Sequence, residues 1–372
     1  VMFSFIVVAQ STKRDSNIYN TLFASGLFLL FIDPTMITSV GFQMSYLAVL
    51  GIVYLQPKIA SWLQPESWLG YHAWRLTSTS LAAQAAVFPL GIYYFHQFPT
   101  YFVLANLVVI PGAFLILSLG FGLLLFGFFD VLASFIGKLL SFTIGSINQW
   151  VVWIEKLPGS PIQYISISTE QLFLLFTFLI LLILFFQYRK FGYVLASLLA
   201  WLVFSGLLWS KNQSQEKQNR AVFYVINDHK AVDFYLGRQA HFMSDPDIGS
   251  SLIDYHLTPG RVQSGVATNI QPLEGQAKEN LKLLVWQGKT FAWIDAPFDQ
   301  SKLMPKISLD ILIVENNSIK SLKELSDRIA FKTLIIGSTN RTRLAEKLRK
   351  EAEDLAINYH SLPLQGAFEI NF

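Results

Sequence analysis

Long apolar runs that do not alternate fill the first 210 positions, whereas the rest of the chain carries only short ones. A helix needs roughly 20 mostly apolar residues to cross the hydrocarbon core, and strands cross only as a closed barrel with alternating faces. Continuous runs therefore predict helices. Intervals free of Asp, Glu, Lys and Arg locate them at 16–32, 34–57, 76–129, 139–154, 171–188 and 191–210. The interval 76–129 is long enough for two crossings, joined near His96-Gln97-Phe98-Pro99-Thr100. With the partial run Val1–Ala9, the pattern predicts about eight transmembrane helices.

A polar stretch, 211–219, reads as a linker to a soluble domain over 220–372, so that 1–210 forms the transmembrane domain. In the soluble part, Ala221–Ile226, Leu281–Trp286, Phe291–Ile294, Ile311–Val314, Thr333–Ile336, Ile357–His360 and Ala367–Phe372 read as strands. Ser321-Leu322-Lys323-Glu324 reads as the capped start of a short helix. Asn340 opens an amphipathic helix to about Ala356, with Leu344, Leu348 and Leu355 on one side. The expected fold is a polytopic α-helical membrane protein with a C-terminal soluble α/β domain.

Composition sharpens this division. Residues 1–210 hold eight Lys/Arg and six Asp/Glu, against twenty and nineteen in 211–372. The whole chain is only 14% charged, where soluble proteins average about 25%. The net charge of +3 is split almost evenly between the two parts and excludes a strongly basic nucleic-acid binder on bulk charge. The absence of cysteine excludes disulfides, thiolate zinc ligands and a cysteine nucleophile. The chain opens with Val1-Met2-Phe3 inside an apolar run, without a basic leader and cleavage site, and reads as a piece of a longer membrane protein.

Orientation follows from Lys and Arg in short loops. With Val1 outside, the inner loops take Lys13, Arg14, Lys58, Arg75, Lys138, Arg189 and Lys190, and the outer ones only Lys156. The bias puts the soluble domain outside the cytoplasm. Trp62, Trp68 and Trp74 in the loop 56–75 suit an interfacial belt. Gln43, Ser45, Thr77, Ser78, Thr79, Ser80, Gln84 and Asn106 are polar positions within apolar runs. Interhelical hydrogen bonding and the lining of a pathway both account for them. Pro89 and the pair Pro111-Gly112 fit either broken helices that face a wet cavity or, as the plainer account, the ordinary frequency of Pro and Gly in membrane helices. With no ionised side chain deep in a crossing, an ion-coupled carrier with a charged midplane site is disfavoured.

Two stretches carry a resemblance. One is Asp33-Pro34 followed by Gly41-Phe42-Gln43-Met44-Ser45. The other runs from Ala82-Ala83-Gln84 through Pro89-Leu90 and Tyr94-Phe95-His96-Gln97-Phe98 to Leu104-Ala105-Asn106 and Ile110-Pro111. Their order and spacing resemble the ComEC competence family. The resemblance implies an inner-membrane, multi-pass channel that passes single-stranded DNA into the cytoplasm during natural transformation. Its implied partners are the DNA strand, membrane lipids and other proteins of the competence machinery, a DNA receptor and a cytoplasmic motor. Candidate pathway residues are Gln43, Ser45, Gln84 and Asn106 as neutral lining groups and Lys58 and Arg75 as cations at a mouth. Asp33, Pro34, Gly41, Phe42, Pro89 and Pro111 are the structural residues of the family pattern.

Many members of that family carry a C-terminal metallo-β-lactamase-like domain, whose two metals are held by a His-x-His-x-Asp-His run. Here His229, His241, His256 and His360 are dispersed, and Asp245, Asp247 and Asp254 fit turn chemistry. The expectation is a reduced or degenerate domain with no catalytic residues, no metal, no cofactor and no nuclease activity. Two other function classes stay open: a transporter or flippase of a small or lipidic solute, and a membrane-anchored hydrolase with its site in 211–372.

Overall fold

The structure is a computed structural model that describes residues 4–5, 7, 17–226, 228–273, 275–278, 281–297, 307–322, 325 and 329–372. Lys13 and Arg14, most of the run Val1–Ala9, and the Lys323 and Glu324 of the expected capped helix lie outside the described residues. Two compact units divide the chain, Val1–Phe204 and Ser205–Phe372.

The first unit is helical. Asn17 caps α1 (Ile18–Ile32), its Oδ1 accepting from the Tyr19 N–H at 3.0 Å. Asp33 ends α1, and its carboxylate accepts from the backbone N–H and the hydroxyl of Thr35 at 2.9 and 2.6 Å. That sets up a 3-10 turn, Pro34–Thr38, in which Pro34 takes the first position, where a missing N–H costs nothing. Then follow α2 (Val40–Ala60), α3 (Trp68–Phe95), α4 (Phe102–Phe126), α5 (Asp130–Glu155), α6 (Thr169–Tyr188) and α7 (Phe191–Lys217). A capping box of Ser168 and Gln171 opens α6.

Five of these helices, α2, α4, α5, α6 and α7, are long and apolar enough to cross a membrane. α1 is apolar but only 15 residues long. α3 has 28 residues, but His72, Arg75 and the run Thr77 to Ser80 dilute its first half. α4 buries no residue at all, and Phe114, Leu117 and Leu124 are exposed along it. Such a surface suits a hydrocarbon surrounding.

Close packing decides where the small residues stand. A Cβ added to Gly51 of α2 would lie 2.4 Å from the Ala86 Cβ and 2.8 Å from the Ala82 carbonyl of α3. One added to Gly112 of α4 would lie 2.3 Å from Ile147 of α5.

Within the polar stretch 211–219, α7 runs to Lys217 and the next strand starts at Asn219. Lys58 stands in the last turn of α2, and Arg75 and Lys138 stand inside α3 and α5, because charged side chains mark the interface while the helices continue past it. Pro89 and Pro111 lie within continuous helices, in line with the plainer account of proline in membrane segments. In a membrane helix, neighbouring groups can satisfy the carbonyl that a proline leaves free.

The second unit has four layers. Its six-stranded sheet has the order β12-β11-β10-β9-β8-β7, from β7 (Gln276–Lys278), β8 (Leu281–Trp286), β9 (Lys289–Ile294), β10 (Ile307–Val314), β11 (Ile329–Ile336) and β12 (Asn358–Ser361). Strands β9 to β12 are mutually parallel, while β7, β8 and β9 are antiparallel. The five-stranded sheet has the order β13-β3-β4-β5-β6, from β3 (Asn219–Phe223), β4 (Ala231–Leu236), β5 (Gln239–Ser244), β6 (Ile270–Pro272) and β13 (Phe368–Asn371).

Period-two alternation assigns the central strands to two cores. Phe291, Trp293, Ile311, Ile313 and Ile335 pack with Phe223 and Phe234 of the five-stranded sheet. Ala292, Ile294, Leu312, Val314, Leu334 and Ile336 pack with Ala345, Leu348 and Ala352 of α8 (Thr342–Asp354). Both faces of these strands are covered, which is why they read as unbroken apolar runs. Beyond the five-stranded sheet lies a helical layer of Ser250–Leu252, the π turn Ile253–Leu257 and Thr258–Gln263.

Two local expectations shift here. β3 stops at Phe223, and Ile226 instead bridges to His229. Asn340 does not start the helix. Its amide donates to the carbonyls of Val314 and Gly337 at 2.7 and 3.0 Å, and α8 begins two residues later, with Leu355 outside it.

Candidate functional site

In the helical unit, some of the polar groups are bonded in pairs, while others, Gln84 and Asn106 among them, make no hydrogen bond among the described residues. Gln43 on α2 accepts from the Tyr94 hydroxyl of α3 at 2.9 Å and donates to the Ile37 carbonyl at 2.8 Å. Ser25 of α1 meets the Tyr46 hydroxyl at 3.0 Å. Ser78 accepts weakly from Gln56 at 3.5 Å. Lys58 lies 3.6 Å over the Tyr54 ring, and both Tyr54 and Lys58 reach the side-chain oxygen of Gln187. Arg75 lies over the Tyr71 ring at 5.7 Å. Ser45 is exposed and Asn106 half-buried. Gln84 is half-buried and makes no hydrogen bond among the described residues.

Gln84 borders two hollows of about 450 and 460 Å³. Both are also lined by Phe88, Phe98 and Phe102. The loop that carries Phe98 is held firmly. His96 caps α3 in the left-handed conformation at φ 56°, and its Nδ1 lies 3.1 Å from the Ile165 carbonyl. The short strand β1 (Gln97–Phe98) pairs with β2 (Ile162–Gln163), and the Thr100 and Tyr101 hydroxyls donate to the carbonyls of Gly159 and Pro158.

The second unit concentrates charge at the carboxyl ends of its parallel strands, the usual place for sites in such sheets. β9 leads into Asp295, β10 into Glu315 and β11 into Gly337. The Lys230 ammonium bridges Asp245 and Asp295 at 3.0 and 2.8 Å, and Lys282 adds a 2.8 Å contact to Asp295. Burial pushes the Asp295 carboxyl up, but hydrogen bonds from Lys230 and Lys282 outweigh this and hold it below the usual range.

Glu315 is buried against Gly337, where any Cβ would fall on its carboxyl group, and it accepts from the backbone and hydroxyl of Thr339 at 3.2 and 2.5 Å. Burial pushes its pKa up to about 7. The folded state therefore prefers the protonated acid. The stability from this group is complete below about pH 4.5 and is lost as the pH rises to about 7. Glu315→Gln is expected to abolish that decline and to exceed the natural protein in stability above pH 7 by about 3 kcal/mol. Urea unfolding of both forms from pH 4.5 to 8 checks this, and parallel curves would overturn it.

A deeper cluster lies under the helical layer. Asp233 in the middle of β4 is fully buried and receives Arg261 through Nε and a terminal nitrogen, both at 2.8 Å. The Tyr224 and Tyr235 hydroxyls donate to the same carboxylate at 2.9 and 3.2 Å. Burial and then the Asp233 charge raise both phenols, Tyr235 to about 12.

The donor set does not fit a catalytic metal. Among the described residues no group of three or more His, Cys, Asp and Glu could hold an ion. His229 faces Asp247 at 3.7 Å, His241 packs on Trp286, His256 on Tyr255, and His360 stacks on Phe368 and meets the Gly366 carbonyl. Asp245 and Asp295 already share an ammonium, which repels a second cation.

Residues 1–190 match the family described as competence protein, and residues 221–372 match the one described as ComEC C-terminal domain. The chain belongs to the ComEC-type competence family. ComE operon protein 3 of Bacillus subtilis (strain 168) is 32% identical over 143 residues, or 35% of this chain and 17% of that protein. The chain thus matches only about a sixth of that relative's length. No solved structure matches it.

The competence-family match covers the whole helical stretch through α6. Of the residues that the sequence pattern singles out, Gln43 is joined to Tyr94, and Gln84 borders the hollows. Ser45, Asn106, Lys58 and Arg75 are not gathered with them. Phe42 packs against Tyr46 with ring centroids 4.4 Å apart at a tilt of 33°, Gly41 and Pro111 are exposed, and Pro89 is buried in α3. The sequence reading missed Asp233, Arg261, Lys230 and Glu315. An acidic residue inside or directly after an apolar run is the only local signal they give.

Proposed function

We propose that the chain is part of a membrane channel that passes single-stranded DNA into the cytoplasm during natural transformation. The match of residues 1–190 to the competence family, over the helical unit, carries this reading. In it all the described membrane helices cross, and with the Val1–Ala9 run they give about eight spans. The cation bias of seven against one supports an extracytoplasmic soluble domain. Gln43, Ser45, Gln84 and Asn106 are neutral groups of the pathway, and Lys58 and Arg75 draw phosphates at the inner mouth. Asp33, Pro34, Gly41, Phe42, Pro89 and Pro111 shape the helices around it. Lipids and other competence proteins, a receptor outside and a motor inside, complete the assembly.

The two-sheet, four-layer architecture supports a degenerate metallo-β-lactamase-like fold for 220–372. With Lys230 between two aspartates, we read this domain as lacking nuclease activity. Metal-dependent cleavage of DNA by the purified chain would overturn that part.

Deleting the gene in a transformable host is expected to leave DNA at the cell surface while the internalised strand falls to background. Labelled DNA, measured separately outside and inside the cytoplasm, checks this. Unchanged internalisation would reject the channel.

A further inference from the structure

The two hollows beside Gln84 share a row of three phenylalanines. Phe88 and Phe98 are 6.3 Å apart at 86°, and Phe98 and Phe102 are 6.3 Å apart at 72°. Phe98 stands in the middle and borders a hollow with Gln97, Tyr101 and Met44 as well as one with Leu81, Ile92 and Ile165. Each is within the roughly 300–1,000 Å³ of clefts that take small organic ligands. Among the described residues that line the two hollows, Glu155 is the one carboxylate, Tyr101 adds a neutral phenol, and there is no Lys or Arg.

These features select an occupant. A phosphate has no cation here and meets a carboxylate, so the cleft is not built for the charged backbone. In the hollow lined by Gln97 and Tyr101, which presents polar surface, an acyl chain would fill the apolar walls but would leave the half-buried Gln84 amide unpaired, at a cost in free energy. The other hollow is almost wholly apolar and offers stacking surface alone. A nucleobase satisfies both demands: its face stacks on phenylalanine and its edge offers donors and acceptors to an amide.

We propose that this cleft is a stacking station for single-stranded DNA, with consecutive unpaired bases on the two sides of Phe98, the Gln84 amide bonded to a base edge, and the phosphates held away from Glu155. The proposal rests on the reading of the chain as a DNA channel and gives that channel a grip on bases rather than charge. Because every base has a stacking face, such a grip tolerates any sequence.

The test uses the full chain in lipid nanodiscs and two fluorescent 12-mers of equal charge, oligothymidine and its abasic counterpart. The natural protein is expected to bind oligothymidine roughly 10- to 100-fold more tightly than the abasic strand. Phe98→Ala is expected to remove that difference and Phe98→Trp to keep it, while Gln84→Leu weakens oligothymidine alone. Equal binding of the two strands by the natural protein would overturn the stacking station, and it needs no variant to fold. If oligothymidine binds but shows no preference over the abasic strand, the channel reading stands without this site. If neither strand binds and gene deletion leaves internalisation unchanged, both readings fall.

Discussion

Arg261→Met is expected to destabilise the soluble unit by about 3–5 kcal/mol, the cost typical of removing one partner of a buried ion pair. The guanidinium supplies two of the four hydrogen bonds that Asp233 receives, and its side chain is 4% exposed beside a carboxylate at 0%. It also covers the Phe242 ring at 4.3 Å, so the substitution loses packing along with charge. Without it Asp233 keeps two phenol donors and no countercharge. The double variant Asp233→Leu/Arg261→Met is expected to lose much less than the sum of the two single changes, because the Tyr224 and Tyr235 hydroxyls, 2.9 Å apart, still satisfy one another. Urea unfolding of the detergent-solubilised chain, followed through the buried Trp293, gives all three values. A loss under about 1 kcal/mol for Arg261→Met would show that the pair carries no net weight.

Gly51→Val is expected to be the most damaging single change in the helical unit. The first added carbon already falls 2.4 Å from the Ala86 Cβ and 2.8 Å from a main-chain oxygen that cannot swing aside. Relief requires α2 and α3 to separate along their contact, which stretches the bond from the Trp74 indole to the Ala60 carbonyl (3.0 Å) and the pair Gln43–Tyr94. Overpacking of a well-filled contact costs about 1–3 kcal/mol for one or two methylenes, and here the obstacle is backbone. Gly145→Val on α5 is the control, since a Cβ there meets nothing within 4 Å. The amount of protein in membranes and its melting in detergent separate the two. Equal behaviour of the two valine variants would refute the close approach of α2 and α3.

What could be read beforehand follows from how local each cause is. Membrane helices announce themselves because lipid accepts an apolar side chain on every face, so α4 and α6 appear as unbroken runs. The parallel strands β9, β10 and β11 show the same continuity for another reason, since both of their faces are covered by protein. β4 was not legible. Asp233 sits at its centre, and only Arg261, 28 positions later, makes that acid tolerable. The same distance problem hides the site. Gln43 and Gln84 stand out as amides among apolar residues, but Tyr94 as the partner of one, and the Phe88, Phe98 and Phe102 row beside the other, depend on helices meeting in space. The polar composition of 211–217 hides that this stretch is helical, because Gln, Asn, Ser and Lys prolong a helix that is already nucleated, and Gln215 is held at its end by the Gln263 carbonyl at 2.8 Å.

The pairing of β3 with β13 bears on how the soluble unit is made. Its opening strand and its closing strand are direct neighbours, joined through Phe223 and Phe368 down to Arg220 and Asn371, with Phe372 also reaching back to Asn219. During synthesis β3 leaves the ribosome about 150 residues ahead of the segment that shields its flank. For that interval it presents an open edge to any passing strand. The sheet is sealed only once β13 has emerged, so a chain that lacks that strand keeps nearly all of its core yet remains sticky along one side.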